Sequence, residues 1–147
     1  MDTTSALADV DPTAVVLSWL AAHPAVAKAL GGPGRVSGIA EAPWPHLRVA
    51  PGPGGDMRSL EWAVEPEVTL EVYGDPAGWP GPAALRRIAL VSALSAKELT
   101  EAPVVAGQPV VSSVRPSGAL IDAPLADGQP RHVFGLLVAV HPPASTP

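Results

Sequence analysis

Four glutamates lie at odd-numbered positions in the middle of the chain. Paired carboxylates can act as general acid and base. The four glutamates are Glu61, Glu65, Glu67 and Glu71. The alternating positions carry the apolar residues Val64, Val68, Leu70 and Val72. A strand through this segment would therefore place the carboxylates on one face and the apolar side chains on the other. Three roles remain open for the carboxylates: catalysis, a solvated sheet face, or the wall of a channel.

The other reactive side chains lack the spacing that catalysis or metal binding requires. His23, His46, His132 and His141 form no HxH, HExxH or HxxxH pair. The glycine-rich "GPGGDM" lacks the Lys-Ser/Thr of a phosphate loop, and no serine lies in a G-x-S-x-G elbow. The chain has no cysteine, which excludes disulfides and thiolate ligands. We therefore expect no enzyme activity, no metal and no cofactor.

Composition and charge favour one globular domain over residues 1–147, with a flexible arm at 1–10 and a tail at 143–147. Of 147 residues, 47% are hydrophobic and 16% charged, which is wrong for a disordered chain. The net charge of −5 comes without a basic run, so simple phosphate-neutralising DNA binding is not expected. The acidic start is not a signal peptide, and no apolar stretch approaches a membrane span. These features predict a protein assembled in a cytoplasm, with no membrane partner.

Two helices are predicted. Asp11 is a good N-cap before Pro12, Pro24 should kink or restart the first helix, and Gly31-Gly32 should end it. A second helix follows Pro82, because the apolar positions after it recur at helical spacing. These positions are Leu85, Ile88, Ala89, Ser92 and Leu99.

Short strands are predicted around the two helices. "PGPGGD" (Pro51–Asp56) is predicted as a loop, Pro66 as an edge, bulge or break, and Asp127-Gly128 as a hairpin turn. The last strand is apolar on both faces and should lie centrally in its sheet. The fold expected is α+β: a mainly antiparallel sheet of four to five strands with two helices packed on one face. The predicted strands are Arg35–Ala40, His46–Pro51, the glutamate segment, Pro109–Gly118 and the segment 131–142.

Three tryptophans lie in or beside Pro/Gly segments, at Trp44, Trp62 and Trp79. They either fill gaps in a small core or, where exposed, mark an interface, since Trp is enriched in binding hot spots.

Several motifs, in their order and spacing, resemble the tail terminator (tail completion) proteins of long-tailed bacteriophages, especially actinobacteriophages. The resemblance covers about Asp11 to Pro142, with His132 and Pro66 departing from the family pattern. The motifs are "LSWLAAHPAVAKAL" followed by "GGPGRVSGIAEAPWPHLRVAPG", then "VEPEVTLEVYGD", "PAALRRIALVSALSA" and "DGQPRHVFGLLVAVHP".

The resemblance implies a structural virion protein of the neck region. Such a protein forms a homo-oligomeric ring, a hexamer, at the head-proximal end of the tail tube. The ring ends tube polymerisation and joins the tail tube protein to the head-tail connector protein, and double-stranded DNA passes non-specifically through its lumen. Another head-tail joining protein, a terminator of a contractile device, or a small-molecule-binding domain remain alternatives.

Two segments are candidate sites for this role. The loop Pro51–Leu60, with Asp56, Met57 and Arg58 at its tip, is expected to contact a neighbouring subunit or the tube. The four glutamates are candidate lumen-lining residues, because an acidic lumen repels DNA phosphates. Reversing Glu67 and Glu71 to Lys is expected to leave the monomer folded and the ring closed and to slow the exit of DNA. A one-residue shift in register at Pro66 would exchange the two faces beyond it.

Overall fold

A computed structural model of the chain describes residues 10–59 and 63–143, with backbone alone at 56–59 and 63–64. The predicted arm and tail therefore lie outside the described residues, apart from Val10 and Pro143, as do Glu61 and Trp62. The described chain contains three α-helices, a 3-10 turn and six strands. In chain order these are α1 (Pro12–Ala22), α2 (Pro24–Leu30), β1 (Val36–Ser37), β2 (His46–Ser59), β3 (Ala63–Tyr73), α3 (Pro82–Lys97), the 3-10 turn Glu98–Glu101, β4 (Val110–Pro116), β5 (Ile121–Asp122) and β6 (Arg131–His141).

The broken first helix is confirmed. Asp11 caps α1 by accepting a hydrogen bond from the backbone N–H of Ala14 at 3.1 Å. His23 then interrupts the helix, and its Nδ1 accepts from the N–H of Ala25, which starts α2 at Pro24. The two helices are bent by 73° at this break. Gly31 ends α2 with φ at +91°, the left-handed conformation that glycine adopts without strain.

The sheet is mixed, with strand order β1-β2-β3-β6-β4 and β5 paired to β6. All pairs are antiparallel except β1 with β2. The α+β class is therefore confirmed, while six strands and three helices replace the four to five strands and two helices expected. The two-residue β5 is the strand that was not expected, and the break at His23 divides the first expected helix into α1 and α2. β6 lies centrally, as its two apolar faces predicted.

One face of the sheet, called here the helix face, carries the core. Val68, Leu70 and Val72 of β3 are fully buried there, together with Leu47 and Val49 of β2. The core also includes alternate residues of β6 and the apolar stripes of all three helices, among them Val16, Leu20, Val26, Leu30, Leu85 and Ile88. Period-2 alternation in the strands and helical spacing in α3 thus meet in one core.

The segment Pro51–Asp56, predicted as a loop, belongs to β2, so that prediction is wrong. β2 pairs with β3 from His46↔Tyr73 to Ser59↔Ala63, with shifts in register between Pro51 and Gly55 and between Asp56 and Ser59. These bulges absorb the glycines and prolines that resemble a loop in the sequence. Asp56, Met57 and Arg58 accordingly lie in the distal part of β2, where Asp56 is opposite Glu65 of β3.

Pro66 does not shift the register of β3 on β6. Val64 pairs with Val140 and Glu67 with Leu137, which is one continuous register on both sides of Pro66. The irregularity falls instead on β2, where Gly55 lies opposite Pro66. The possible exchange of faces beyond Pro66 is therefore absent.

No single described helix is long and apolar enough to span a membrane. By length and composition only, α1 and α2 pass that test as a pair, across their bend.

Candidate functional site

The three described glutamates of β3 lie on the face opposite the core, called here the carboxylate face. Glu65, Glu67 and Glu71 alternate with the buried Val68, Leu70 and Val72, as the sequence pattern predicted. They are not arranged as a solvated surface, however. Glu65 is 0% exposed and Glu71 is 6% exposed, so each requires partners within the fold.

Glu71 is the centre of a four-residue cluster, called here the Glu71 cluster. Arg48 on β2 donates from Nη1 to its Oε1, and Arg131 on β6 donates from Nη1 to its Oε2 at 3.0 Å. The Tyr73 hydroxyl also donates to Oε2, at 2.9 Å. Both carboxylate oxygens are therefore occupied by donors from three strands. Such a carboxylate joins the three strands together.

The backbone register explains why these residues meet. Arg48 lies directly opposite Glu71 in the β2–β3 ladder, and Arg131 lies opposite Tyr73 in the β3–β6 ladder, one diagonal step away. Opposite charges at such cross-strand positions attract. Arg131 is further fixed because its Nε donates to the Ala123 carbonyl at 2.8 Å.

Glu65 is held by a cation two strands away. Arg115 on β4 donates from Nη2 to Glu65 Oε1 at 2.8 Å, across β6. The Glu65 side chain is fully buried while that of Arg115 is 52% exposed. This ion pair therefore connects the edge strand β4 to the middle of the sheet.

Glu67 occupies a space that three glycines leave open. A Cβ built on Gly52 would lie 2.5 Å from Glu67 Oε1, and one on Gly54 would lie 2.8 Å from Oε2. On the other side, a Cβ on Gly135 would lie 3.0 Å from Glu67 Cδ. The Ser117 hydroxyl donates to Oε2 at 2.5 Å. The glycines of "GPGGD" thus make room for a carboxylate, which the sequence alone did not indicate.

These contacts correct two expectations about the glutamates. A solvated acidic face is wrong for Glu65 and Glu71, because both are buried and ion-paired. Reversing Glu71 to Lys would place a third cation beside Arg48 and Arg131, so this change should not leave the fold intact. Of the four candidate lumen residues, Glu67 is the described one that stays partly accessible, and Glu61 lies outside the described residues.

The four histidines lie apart and have separate partners. His23 Nε2 contacts Glu98 at 2.5 Å, His46 Nε2 contacts the Ser37 hydroxyl at 2.8 Å, and His141 Nε2 contacts Ser112 at 2.7 Å. His132 Nδ1 lies 4.0 Å from Asp122 Oδ1. Within residues 10–59 and 63–143 no three His, Asp or Glu side chains are grouped to hold a metal ion.

Burial changes the pKa of two groups near the carboxylate face. It lowers the pKa of His46, which is 0% exposed and whose Nδ1 has no hydrogen-bond partner. It also raises the pKa of Tyr73, an effect strengthened by the hydrogen bond to Glu71. Trp44 lies beside both rings, with centroids 6.5 Å away in each case. Trp44 is half-buried and lies outside the core on the helix face.

Trp79 is 59% exposed, which fits the interface role expected for an exposed tryptophan. It borders a groove of about 560 Å³ between the end of α2 and the start of α3. Arg35 also lies in this groove, and its Nη1 donates hydrogen bonds to the backbone carbonyls of Leu30 and Trp44. Arg87, also in the groove, is exposed.

Comparison with known proteins adds no family: no protein-family model matches the chain, and no curated protein does either.

Proposed function

We propose that the chain is a structural virion protein, a phage tail terminator that forms a ring, a hexamer, at the head-proximal end of the tail tube. The ring ends tube polymerisation and binds the head-tail connector, and DNA passes through its lumen. In this proposal the chain is not an enzyme and needs no cofactor.

The observation that supports the proposal best is a sheet with two open edges on opposite sides. β1 pairs with only Leu47 and Arg48 of β2, and among the described residues no strand covers the rest of the outer edge of β2. At the other end of the sheet, β4 has no described strand on its outer side. Unpaired edges are templates for pairing with another chain, and two different edges allow head-to-tail contacts that close into a ring.

The carboxylate face supports a part in assembly more than one in catalysis. The two oxygens of Glu71 are occupied by donors, and Glu65 is buried against Arg115. The lumen role therefore falls on Glu67 among the described glutamates. Six copies at −5 each carry a formal charge of −30, which would keep DNA from adhering to the ring.

The function can be tested by adding the purified chain to growing tubes of the tail tube protein from the same virus. We expect tube length to stop increasing at sub-stoichiometric amounts, because one ring per tube suffices. An unrelated protein of similar size and net charge is the control. Continued growth at several chains per tube end would contradict the proposal.

The groove beside Trp79 favours a second function, the binding of a small molecule. Its volume of about 560 Å³ lies within the range of ligand pockets, and an exposed Trp and Arg87 border it. A stable monomer that takes up a metabolite, detected by mass spectrometry of the native protein and lost in a Trp79→Ala variant, would support this alternative against the ring.

A further inference from the structure

The outer side of α3 is basic and apolar, although the chain as a whole is acidic. Its charged residues are Arg86, Arg87 and Lys97, with no acidic residue. Arg86, Leu90, Ala93 and Lys97 follow the spacing i, i+4, i+7 and i+11 and so form one stripe. Leu90 is 48% exposed, and Leu94 beside it is 68% exposed. Neither Arg86 nor Lys97 has an ion-pair partner among the described residues.

This stripe borders an apolar pocket, called here the edge pocket. The pocket has a volume of about 190 Å³ and lies between α3 and the β4–β5 side of the sheet. An apolar cavity of about 150 Å³ holds a benzene-sized group, so the edge pocket has room for one aliphatic side chain. Its walls include Leu90, Ala93, Pro116, Leu120, Phe134 and Leu136.

An exposed aliphatic side chain lies at the opposite edge of the same sheet. Ile39 lies two residues after the end of β1 and is 60% exposed. Glu41, two residues later, is exposed and has no ion-pair partner in the described part of the chain. An apolar residue near a negative charge thus matches an apolar pocket whose α3 wall, Leu90 and Ala93, has a cation one helical turn to either side.

One chain cannot bring these two surfaces together. They lie at opposite ends of the order β1-β2-β3-β6-β4, and four strand spacings of about 4.8 Å put about 19 Å between the edge strands. The contact is therefore available only between copies. Placed side by side, copies joined this way repeat head to tail, the arrangement that closes into a ring or continues as a filament.

We infer that Ile39 of one copy inserts into the edge pocket of the next, with Glu41 beside Arg86 and Lys97 of that neighbour. This inference rests on the proposed ring and identifies its subunit contact. The buried aliphatic side chain supplies the anchor, and the charges at the rim set the register and discriminate against other pairings.

Sedimentation equilibrium of the full chain and of its variants tests the inference. Ile39→Asp should weaken association at least about ten-fold, as expected when a central apolar anchor is lost. Val104→Asp is the matched control, because Val104 is similarly exposed, at 65%, and does not line the edge pocket. Glu41→Lys should weaken association several-fold, and combination with Arg86→Glu and Lys97→Glu should restore it.

A second control makes the same change in net charge as Arg86→Glu with Lys97→Glu, but at two basic residues that do not flank the edge pocket. Lys28→Glu with Arg87→Glu should not rescue Glu41→Lys, since Arg87 borders the Trp79 groove instead. If the wild type assembles and Ile39→Asp assembles equally well, the inference is overturned and the ring proposal stands. If the wild type is monomeric at every concentration, both are overturned. Circular dichroism of each variant shows whether it folds; if Ile39→Asp does not, the charge reversal and its rescue decide the inference.

Discussion

Replacing Glu71 by Ala should destabilise the chain strongly, because the side chain is shared by three donors on three strands. The change would leave the guanidinium groups of Arg48 and Arg131 beside each other without their common anion. Removing one partner of a fully buried ion pair costs about 3–5 kcal/mol. The arginine side chains here are 35% and 26% exposed, so water can solvate them in part. We therefore expect the low end of that range, about 3 kcal/mol.

Urea denaturation measures this loss. With a slope of about 2 kcal/mol per molar urea, the midpoint should fall by about 1.5 M for Glu71→Ala. Glu71→Gln keeps an acceptor for Tyr73 and fills the same space, so its loss should be clearly smaller, about 1–2 kcal/mol. Glu101→Ala, at an exposed glutamate of the 3-10 turn, should stay within about 0.5 kcal/mol of the wild type.

The outcome must be separated from assembly, because a ring stabilises its folded subunits by mass action. Midpoints measured at two protein concentrations provide that separation. If Glu71→Ala lowered the midpoint no more than Glu101→Ala does, the Glu71 cluster would not join the strands as the contacts suggest.

Three further changes test other features of the carboxylate face. Gly52→Ala would place a Cβ 2.5 Å from Glu67 Oε1, so it should lower the free energy of unfolding, measured with urea, by about 1–3 kcal/mol. The loss should be smaller when Glu67 is also replaced by Ala, and equal losses with and without Glu67 would contradict the crowding. Gly55→Ala should destabilise by at least about 1 kcal/mol, because Gly55 has φ at +133° and its Cβ would lie 2.7 Å from the Pro66 Cα. Burial lowers the pKa of His46, so the unfolded chain binds that proton more readily, and the free energy of unfolding should fall as pH drops below about 6.5. His46→Gln should flatten this part of the stability–pH curve, and an unchanged slope would assign it to other groups.

The helices were predictable because their signals are local. Asp11, Pro12 and Pro24 act within one turn of the backbone, and the stripe of α3 repeats at helical spacing. The alternation of β3 likewise gave the correct two faces, since side-chain direction in a strand depends only on parity.

The partners of the glutamates could not be predicted, because they are distant in sequence. Arg48 is 23 residues from Glu71, and Arg131 is 60 residues away. The strand order and register that bring them together depend on the whole sheet. The sequence does contain arginines that could pair with these glutamates across neighbouring strands. Predicting which arginine pairs with which glutamate, however, requires the strand order and register to be known.

The distal half of β2 was missed for a different reason. Glycine and proline between residues 51 and 55 usually mark a loop. Here the register places residues 52–54 opposite the single residue Glu67, and the missing Cβ atoms make room for its carboxylate. The glycines are needed in this bulged strand because they leave space for the Glu67 carboxylate. Amino-acid composition alone cannot distinguish such a strand from a turn.

Electron microscopy of the purified chain tests the central claim most directly. Averaged end-on views should show a closed ring of six subunits around an open channel. Particles of one subunit, or pairs related by a single two-fold axis, would contradict the ring and with it the proposed role at the end of the tail tube.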